Sequence, residues 1–385
     1  MQIQIQRSEH DDELRFEVRG ADVALLNALR RVIHADVPNV AVDFDPNAPS
    51  ETSVVFHENT SSLHNEFLAH RLAMIPVCMR EDEMPSCHEF TMSLQVKNNG
   101  SENVHVKTSD IVVRDQNGKE RPELAARWFP RNATTQDSIL ITTLKPNPQY
   151  AGPGESLNVD FRCRVGLPRE NAAFASVSVA SFVNRIDPDI RAEKMRELGI
   201  DGGDADAVRQ FDALDAQRCF RRNEHGEAAE FEFFVESTSG RRPEDIVSQA
   251  LRILVQKIEK VDERAELAAS PREGMHELNI RDEDHTLGNL LQSVCFKTLY
   301  AGGSVSFVGY NVPHPLENVV RMCIACTSDP MTVLRRTQAN AIQMVKEFQA
   351  AWEAALAAKQ SGAKPAVKPR RAAATKRKSE KASSG

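Results

Sequence analysis

Asp22-Val-Ala-Leu-Leu-Asn-Ala-Leu-Arg-Arg31 decides the fold, because its pattern returns near the other end of the chain. Asp22, Leu25, Asn27 and Leu29 recur as Asp284, Leu287, Asn289 and Leu291 in Asp284-His-Thr-Leu-Gly-Asn-Leu-Leu291, each 262 positions further on. Both copies continue as an apolar run and then a β-rich segment, Val32 to Phe44 in one and Val294 to Tyr310 in the other. Matching sequels make this two copies of one helix-then-strand unit, and such repetition constrains the whole fold.

Around the first copy the local signals agree. Ile3 and Ile5, then Leu14, Phe16 and Val18, alternate across a charged turn and read as a hairpin. Asp22 is placed to accept orphan backbone N–H groups as an N-cap. Leu25, Leu26, Leu29, Val32 and Ile33 follow at spacings of three and four and form one apolar helical face. Pro38 stops the helix, and Val40, Val42 and Phe44 alternate as a strand.

The texture then changes. Residues 46–154 read as an insertion with a small β-rich core: a strand near Val54–Phe56, a helix that starts within Asn59–Glu66 and runs to about Met74, then short strands near Phe90–Val96, Val104–Lys107, Ile111–Val113 and Ile139–Leu144. Leu157 to Val165 alternates strictly and reads as one long strand resuming the main body, a pattern repeated at Phe231, Phe233 and Val235. Val208–Phe220 reads as a helix, and Pro243 opens an amphipathic one bearing Ile246, Val247, Ala250, Leu251, Leu254 and Ile258. Residues 263–274 read as a charged linker. The second unit follows over 275–358, with a strand at Leu278–Ile280, a helix over 285–299, strands at Val305–Phe307 and Val319–Cys326, and a long helix from Met331 to Ala358. The architecture expected is α+β, two related units forming a pseudo-dimer. The first unit, 1–45 plus 155–262, is interrupted by the insertion.

Composition narrows the function. At 385 residues, with 41% hydrophobic and 27% charged residues, the chain can bury a sizeable core. It shows no membrane span and no apolar leader after Met1. Seven scattered cysteines do not form a secreted disulfide framework, so a reducing compartment is expected. The net charge of −7 conceals a local +8 over residues 359–385, leaving about −15 on the body, which disfavours a broad grip on DNA. That tail, with Lys368, Arg370, Arg371, Lys376, Arg377 and Lys378, reads as disordered. It serves either as an import or nucleic-acid patch or as a solubilising extension.

Metal and catalytic chemistry find little support. Cys323 and Cys326 lie three apart in an alternating strand and point to opposite faces. Cys78, Cys87 and His88 lack a fourth ligand, and His57, His64 and His70 lack the spacing of helical zinc pairs. Nucleophile elbow, phosphate-cradling glycine loop and paired apolar carboxylates are all missing from the sequence. No cofactor is expected. Arg30 and Arg31 are either solvated charges or a guanidinium pair forking onto a partner's carboxylates.

Asn27-Ala-Leu-Arg-Arg-Val-Ile33, Asp36-Val-Pro38 and Val40-Ala-Val-Asp43 resemble the N-terminal signature of RNA polymerase α subunits, most closely the α-like third-largest subunit of eukaryotic and archaeal enzymes. Asn59 to Pro76 is similar to the next block of that family, and Phe233-Phe-Val-Glu-Ser-Thr-Ser-Gly240 to its closing block. Glu283-Asp-His-Thr-Leu-Gly-Asn-Leu-Leu291 and Val308-Gly-Tyr-Asn-Val-Pro-His-Pro-Leu-Glu317 resemble the small partner subunit, the eleventh of the eukaryotic enzyme. The resemblance implies a heterodimer collapsed into one chain, as in large cytoplasmic DNA viruses. It would be a non-catalytic platform for the largest and second-largest subunits and smaller ones, working in host cytoplasm or nucleus and packaged in the virion. DNA and RNA would be met only through the complex, whose catalytic aspartates and Mg²⁺ lie elsewhere.

By the same resemblance Leu25, Asn27, Leu29 and Ile33 should meet Leu287, Asn289, Leu291 and Val294, while Arg30, Arg31, His70 and Arg71 should face the large subunits. The family's insertion often holds a four-cysteine zinc site or, in some archaea, an iron–sulfur cluster. With only Cys78 and Cys87 there, neither is expected. The rival function, from a different class, is a free-standing nucleic-acid-binding regulator acting through the tail.

Overall fold

The structure is a computed structural model and describes residues 1–6, 8, 10–44, 53–147, 152–268 and 274–361. The basic tail positions Lys368 to Lys378 lie outside the described residues. In chain order the first elements are β1 (Gln2–Ile5), β2 (Glu13–Arg19), α1 (Val23–Ala35), β3 (Asn39–Val42), β4 (Val55–Asn59), α2 (Asn65–Ala73), β5 (Thr91–Lys97), β6 (Val104–Lys107), β7 (Val112–Arg114), α3 (Pro122–Trp128), β8 (Leu140–Leu144), β9 (Ser156–Phe161) and β10 (Cys163–Gly166). They are followed by β11 (Val177–Asn184), α4 (Pro188–Glu197), α5 (Ala205–Leu214), β12 (Glu230–Ser237), α6 (Pro243–Glu259), α7 (Val261–Arg264), β13 (Ala265–Ala268), β14 (His276–Arg281), α8 (His285–Cys295), β15 (Val305–Asn311), β16 (Val319–Cys326) and α9 (Pro330–Gln360). Among the described residues no helix is long and apolar enough to cross a membrane.

Two four-stranded antiparallel sheets carry the two repeats. The first has the order β1-β2-β12-β11 and the second β13-β14-β16-β15. Their inner faces and helices α1, α6, α8 and α9 feed a single core that runs from Leu14 to Trp352. That continuity is the central fact of the fold. Each sheet has one apolar face, as the alternation along Glu13–Arg19 dictates; α1, α6 and the other repeat's α9 lie against the first sheet and α8 against the second.

A separate core spans Val40 to Cys163 and belongs to the insertion, with the sheets β4-β9-β5-β7 and β6-β8. The strand expected over Leu157–Val165 breaks at Arg162. Its first half, β9, is a central strand of the insertion sheet, and only β10 turns back to pair with β3. Alternation identifies a half-buried strand but not its partner, so both halves looked alike in sequence. The β3–β10 ribbon is thus the double crossover between the two cores.

Other expectations also need amending. Residues 265–268, read as part of a linker, form β13 and pair with β14 from Ala265↔Ile280 to Ala268↔Glu277. The helix expected over 285–299 is α-helical only to Cys295 and continues as a π-helical turn, Phe296–Tyr300. The helix expected over Val208–Phe220 is α5 followed by a short 3₁₀ turn at Ala216–Arg218. β11, an edge strand, was not anticipated. Its outward-facing Val179 and Val183 blur the alternation that marks a strand.

Candidate functional site

The repeated stretches meet as an antiparallel helix pair. Leu25, Leu29 and Ile33 of α1 and Leu287, Leu291 and Val294 of α8 are all fully buried in the one shared core. Asn27 is half-buried, and its side-chain oxygen accepts from Arg30 Nε at 3.2 Å and Nη2 at 3.1 Å, so it positions a guanidinium of its own helix. Asn289 is half-buried on the corresponding turn of α8. Gly288 lets α8 approach its sheet: a Cβ there would come within 2.5 Å of the Tyr310 ring.

Polar contacts at both ends of the pair repeat with the same logic. Asp22 caps α1 by accepting from the Ala24 amide, and Asp284 caps α8 by accepting from the Thr286 amide, each at 2.7 Å. Arg31 of α1 donates to Asp284 at 3.3 Å and to the Thr286 hydroxyl at 2.8 Å. Lys297, in the π-helical turn, donates to Asp22 and to Glu227, both at 2.7 Å. Arg31, expected to face a large partner, is therefore engaged across the intrachain interface. Its position on α1, more than two turns beyond the Asp22 cap, brings it opposite the start of an antiparallel neighbour.

A second group of charges lies beside it. Lys257 of α6 bridges Asp36, at the end of α1, and Glu283, at the start of α8, at 3.3 and 3.2 Å. Arg169 also pairs with Asp36, and Arg264 with Glu283 at 3.0 Å. Burial pushes the Glu283 carboxyl above the usual range, and the opposing pull of Lys257 and Arg264 does not cancel it. Burial also pushes on Asp284, but there the Thr286 hydrogen bonds and Arg31 outweigh it and hold the carboxyl low.

α9 completes the union by crossing onto the other repeat. Trp352, 1% exposed, packs on Phe16 at 5.0 Å between centroids and donates its indole N–H to Ser248 at 3.0 Å. Gln338 donates to the Ile258 and Glu259 carbonyls at 2.8 and 3.0 Å, satisfying the open end of α6. Lys359 reaches Glu244 at 2.5 Å. Sequence reasoning missed these cross-repeat partners, although the recurrence of aspartate at both N-caps was visible.

In the insertion, His70 is exposed and Arg71 donates to the Ile141 and Leu140 carbonyls at 2.8 Å, so Arg71 ties α2 to β8. Phe67 and Met74, 60% and 53% exposed, flank His70 on the outer face of α2. The Cys87 thiol donates weakly to the Cys163 carbonyl at 3.6 Å, while Cys78 packs on Gly240. Two thiols committed to different neighbours do not fit a zinc or iron–sulfur site. Among the described residues no cluster of three or more His, Cys, Asp or Glu is arranged to hold a metal ion.

Comparison with known proteins agrees with this geometry. The family model described as the RNA polymerase Rpb3/Rpb11 dimerisation domain matches residues 15–258, and a second model of the same description matches residues 276–351. The chain is 25% identical over 300 residues to the DNA-directed RNA polymerases I and III subunit rpac1 of Dictyostelium discoideum, covering 66% of this chain and 79% of the relative. It is 26% identical over 297 residues to subunit RPAC1 of Saccharomyces cerevisiae, covering 64% and 82%. It is 25% identical over 331 residues to the RNA polymerases IV and V subunit 3B of Arabidopsis thaliana, covering 70% and 96%.

Proposed function

Because the chain belongs to the RNA polymerase Rpb3/Rpb11 dimerisation-domain family, we propose that it is the assembly platform of a multisubunit DNA-dependent RNA polymerase, with both partners of the family's dimer carried on one chain. The observation that carries this reading is the α1–α8 pair, in which two family-type helices bury one another within a common core. The chain is a structural subunit, and nucleotidyl transfer belongs to the large subunits it docks. Arg30 at the edge of the helix pair and the Phe67–His70–Met74 face of α2 are the surfaces proposed for those contacts, since exposed apolar side chains beside polar ones suit a protein interface. Arg31 and Arg71, both held within the chain, would act there by shaping the surface. Joining the halves makes their docking intramolecular and independent of subunit concentration. The fused organisation resembles that of large cytoplasmic DNA viruses, and we extend the proposal to such a source, with transcription in host cytoplasm or nucleus and packaging in the virion.

A tagged pull-down from the native source, with stoichiometry, tests the reading. Two much larger chains should co-purify one-to-one with this one, without a separate small α-like subunit. Recovery of the chain alone, or with nucleic acid only, refutes the platform and favours a regulator acting through the tail. Deleting residues 359–385 separates the two, because a platform still assembles and a tail-driven regulator loses its nucleic acid.

A further inference from the structure

The two N-cap aspartates divide their oxygens in the same way. In Asp22 and Asp284 alike, Oδ1 accepts the capping amide, from Ala24 and Thr286. Oδ2 of each takes a cation from the other repeat, Lys297 at 2.7 Å for Asp22 and Arg31 at 3.3 Å for Asp284. Ser293, the position equivalent to Arg31 in the second repeat, also reaches Asp22 Oδ2, at 3.2 Å. Capping alone does not require aspartate, since asparagine caps a helix as well. Receiving a cation on the second oxygen does require it, because the asparagine amide would turn an N–H donor toward Lys297 or Arg31.

We propose that Asp22 and Asp284 are the residues that hold the two halves of the chain in a single register, each closing its own helix and clasping the other half. One turn of slip, about 5.4 Å, would break both clasps at once while leaving an apolar face against an apolar face. The apolar residues supply the adhesion and the aspartates supply the alignment, the use of partly buried polar pairs that is best supported in paired helices. The two clasps are unequal. Lys297 and Asp22 are 15% and 7% exposed, whereas Arg31 and Asp284 are 33% and 35% exposed, so solvent and salt weaken the second clasp more. This inference rests on the chain alone and stands whether or not the polymerase assignment does.

The test uses the full chain carrying Asp22→Asn, Asp284→Asn or both, which keep the caps and remove the carboxylates that receive the cations, leaving Lys297 on Glu227 and Arg31 on the Thr286 hydroxyl. Spin labels at exposed positions on either half, Glu259→Cys and Lys346→Cys, report alignment once the half-exposed Cys78, Cys323 and Cys326 are replaced by serine. Pulsed dipolar spectroscopy should give one narrow distance in the parent and a broadened or second distance in the double variant. The urea midpoint should fall further for Asp22→Asn than for Asp284→Asn, and Asp22→Asn should be non-additive with Lys297→Met. A distance that stays narrow in the double variant overturns the proposal whatever the midpoint does, since the clasps would then stabilise without aligning. Additive losses at Asp22 and Lys297 overturn it as well.

Discussion

Replacing Lys257 by methionine tests the buried charges between the repeats. The substitution keeps most of the side-chain volume and removes the ammonium that bridges Asp36 and Glu283. Asp36 keeps Arg169, but Glu283, with a side chain 1% exposed, is left with Arg264 alone at 3.0 Å. Removing one partner from a buried ion pair costs about 3–5 kcal/mol, mostly as the penalty of the charge left behind. If the paired halves unfold as one unit of roughly 150–250 residues, the melting midpoint falls by about 6–20 °C.

The pH dependence identifies the cause. Burial already holds the Glu283 carboxyl above its unfolded value, and losing Lys257 raises it further. A carboxyl whose folded pKa is raised binds more protons folded than unfolded between the two values, so its contribution to stability falls as pH rises through that window. The gap between Lys257→Met and the parent should therefore be widest near about pH 8 and shrink as pH approaches about 5. Adding Glu283→Gln should recover much of the loss at the higher pH. Thermal and urea unfolding of the chain at both pH values, in a double-mutant cycle, measure this. A pH-independent gap, or additive effects of the two substitutions, would refute the reasoning.

Leu29→Asp combined with Leu291→Asp places two unpaired charges in the α1–α8 contact, each costing several kcal/mol, about 2–7 on transfer scales for a merely polar group and more for a charge; unchanged thermal stability would sink the paired-helix description. Gly288→Ala drives a methyl into the Tyr310 ring and should cost about 1–3 kcal/mol, whereas the equal change in an open helix would stabilise, so a raised melting midpoint contradicts the close approach. Asp284 has its carboxyl held low, with burial outweighed by Thr286 and Arg31, so its contribution is present above the usual aspartate range and is lost as pH falls through it. Asp284→Asn should flatten that acid limb of the stability profile, and an unaltered limb assigns it to other carboxylates. Trp352→Ala should cost about 3–5 kcal/mol by emptying the site against Phe16. It should also release α9 from the first sheet, seen as faster amide exchange in β1, and unchanged exchange would mean the helix is held elsewhere.

What could be read from sequence followed from how local each signal is. The repeat, the α1 face and the strands at Glu13–Arg19 and Glu230–Ser237 were legible because period and capping are properties of a few adjacent residues. β9 was legible as a strand yet was assigned to the wrong sheet, since pairing with Phe56 and Leu94 is decided by residues far along the chain. Arg31 shows the same limit at the site: nothing local distinguishes a guanidinium that meets another subunit from one that meets Asp284. Lys257 and Gln338 carry no local sign of their partners: Lys257 is enclosed by the end of α1 and the start of α8, and Gln338 by the crossing of α9 onto α6. β13 reads as a linker because its four residues, Ala-Glu-Leu-Ala, are too few to show an alternation and sit between the charged stretches 262–264 and 272–273.

That short strand bears on how such a chain could be divided. Ala265–Ala268 lies by sequence in the segment that joins the two halves and by hydrogen bonding in the sheet of the second. A break in the chain after Ala268 would leave the first fragment holding a donated strand in the second fragment's sheet, so the cut pieces would stay together by strand donation. A break before Ala265 would instead leave β13 on the second fragment, whose four-stranded sheet would stay covalently whole. A gene carrying this arrangement could be split at either place, the pieces being joined by a shared sheet in the first case and by side-chain contacts between the halves in the second. It also fixes the supply of the two halves at one to one, because neither can be made without the other.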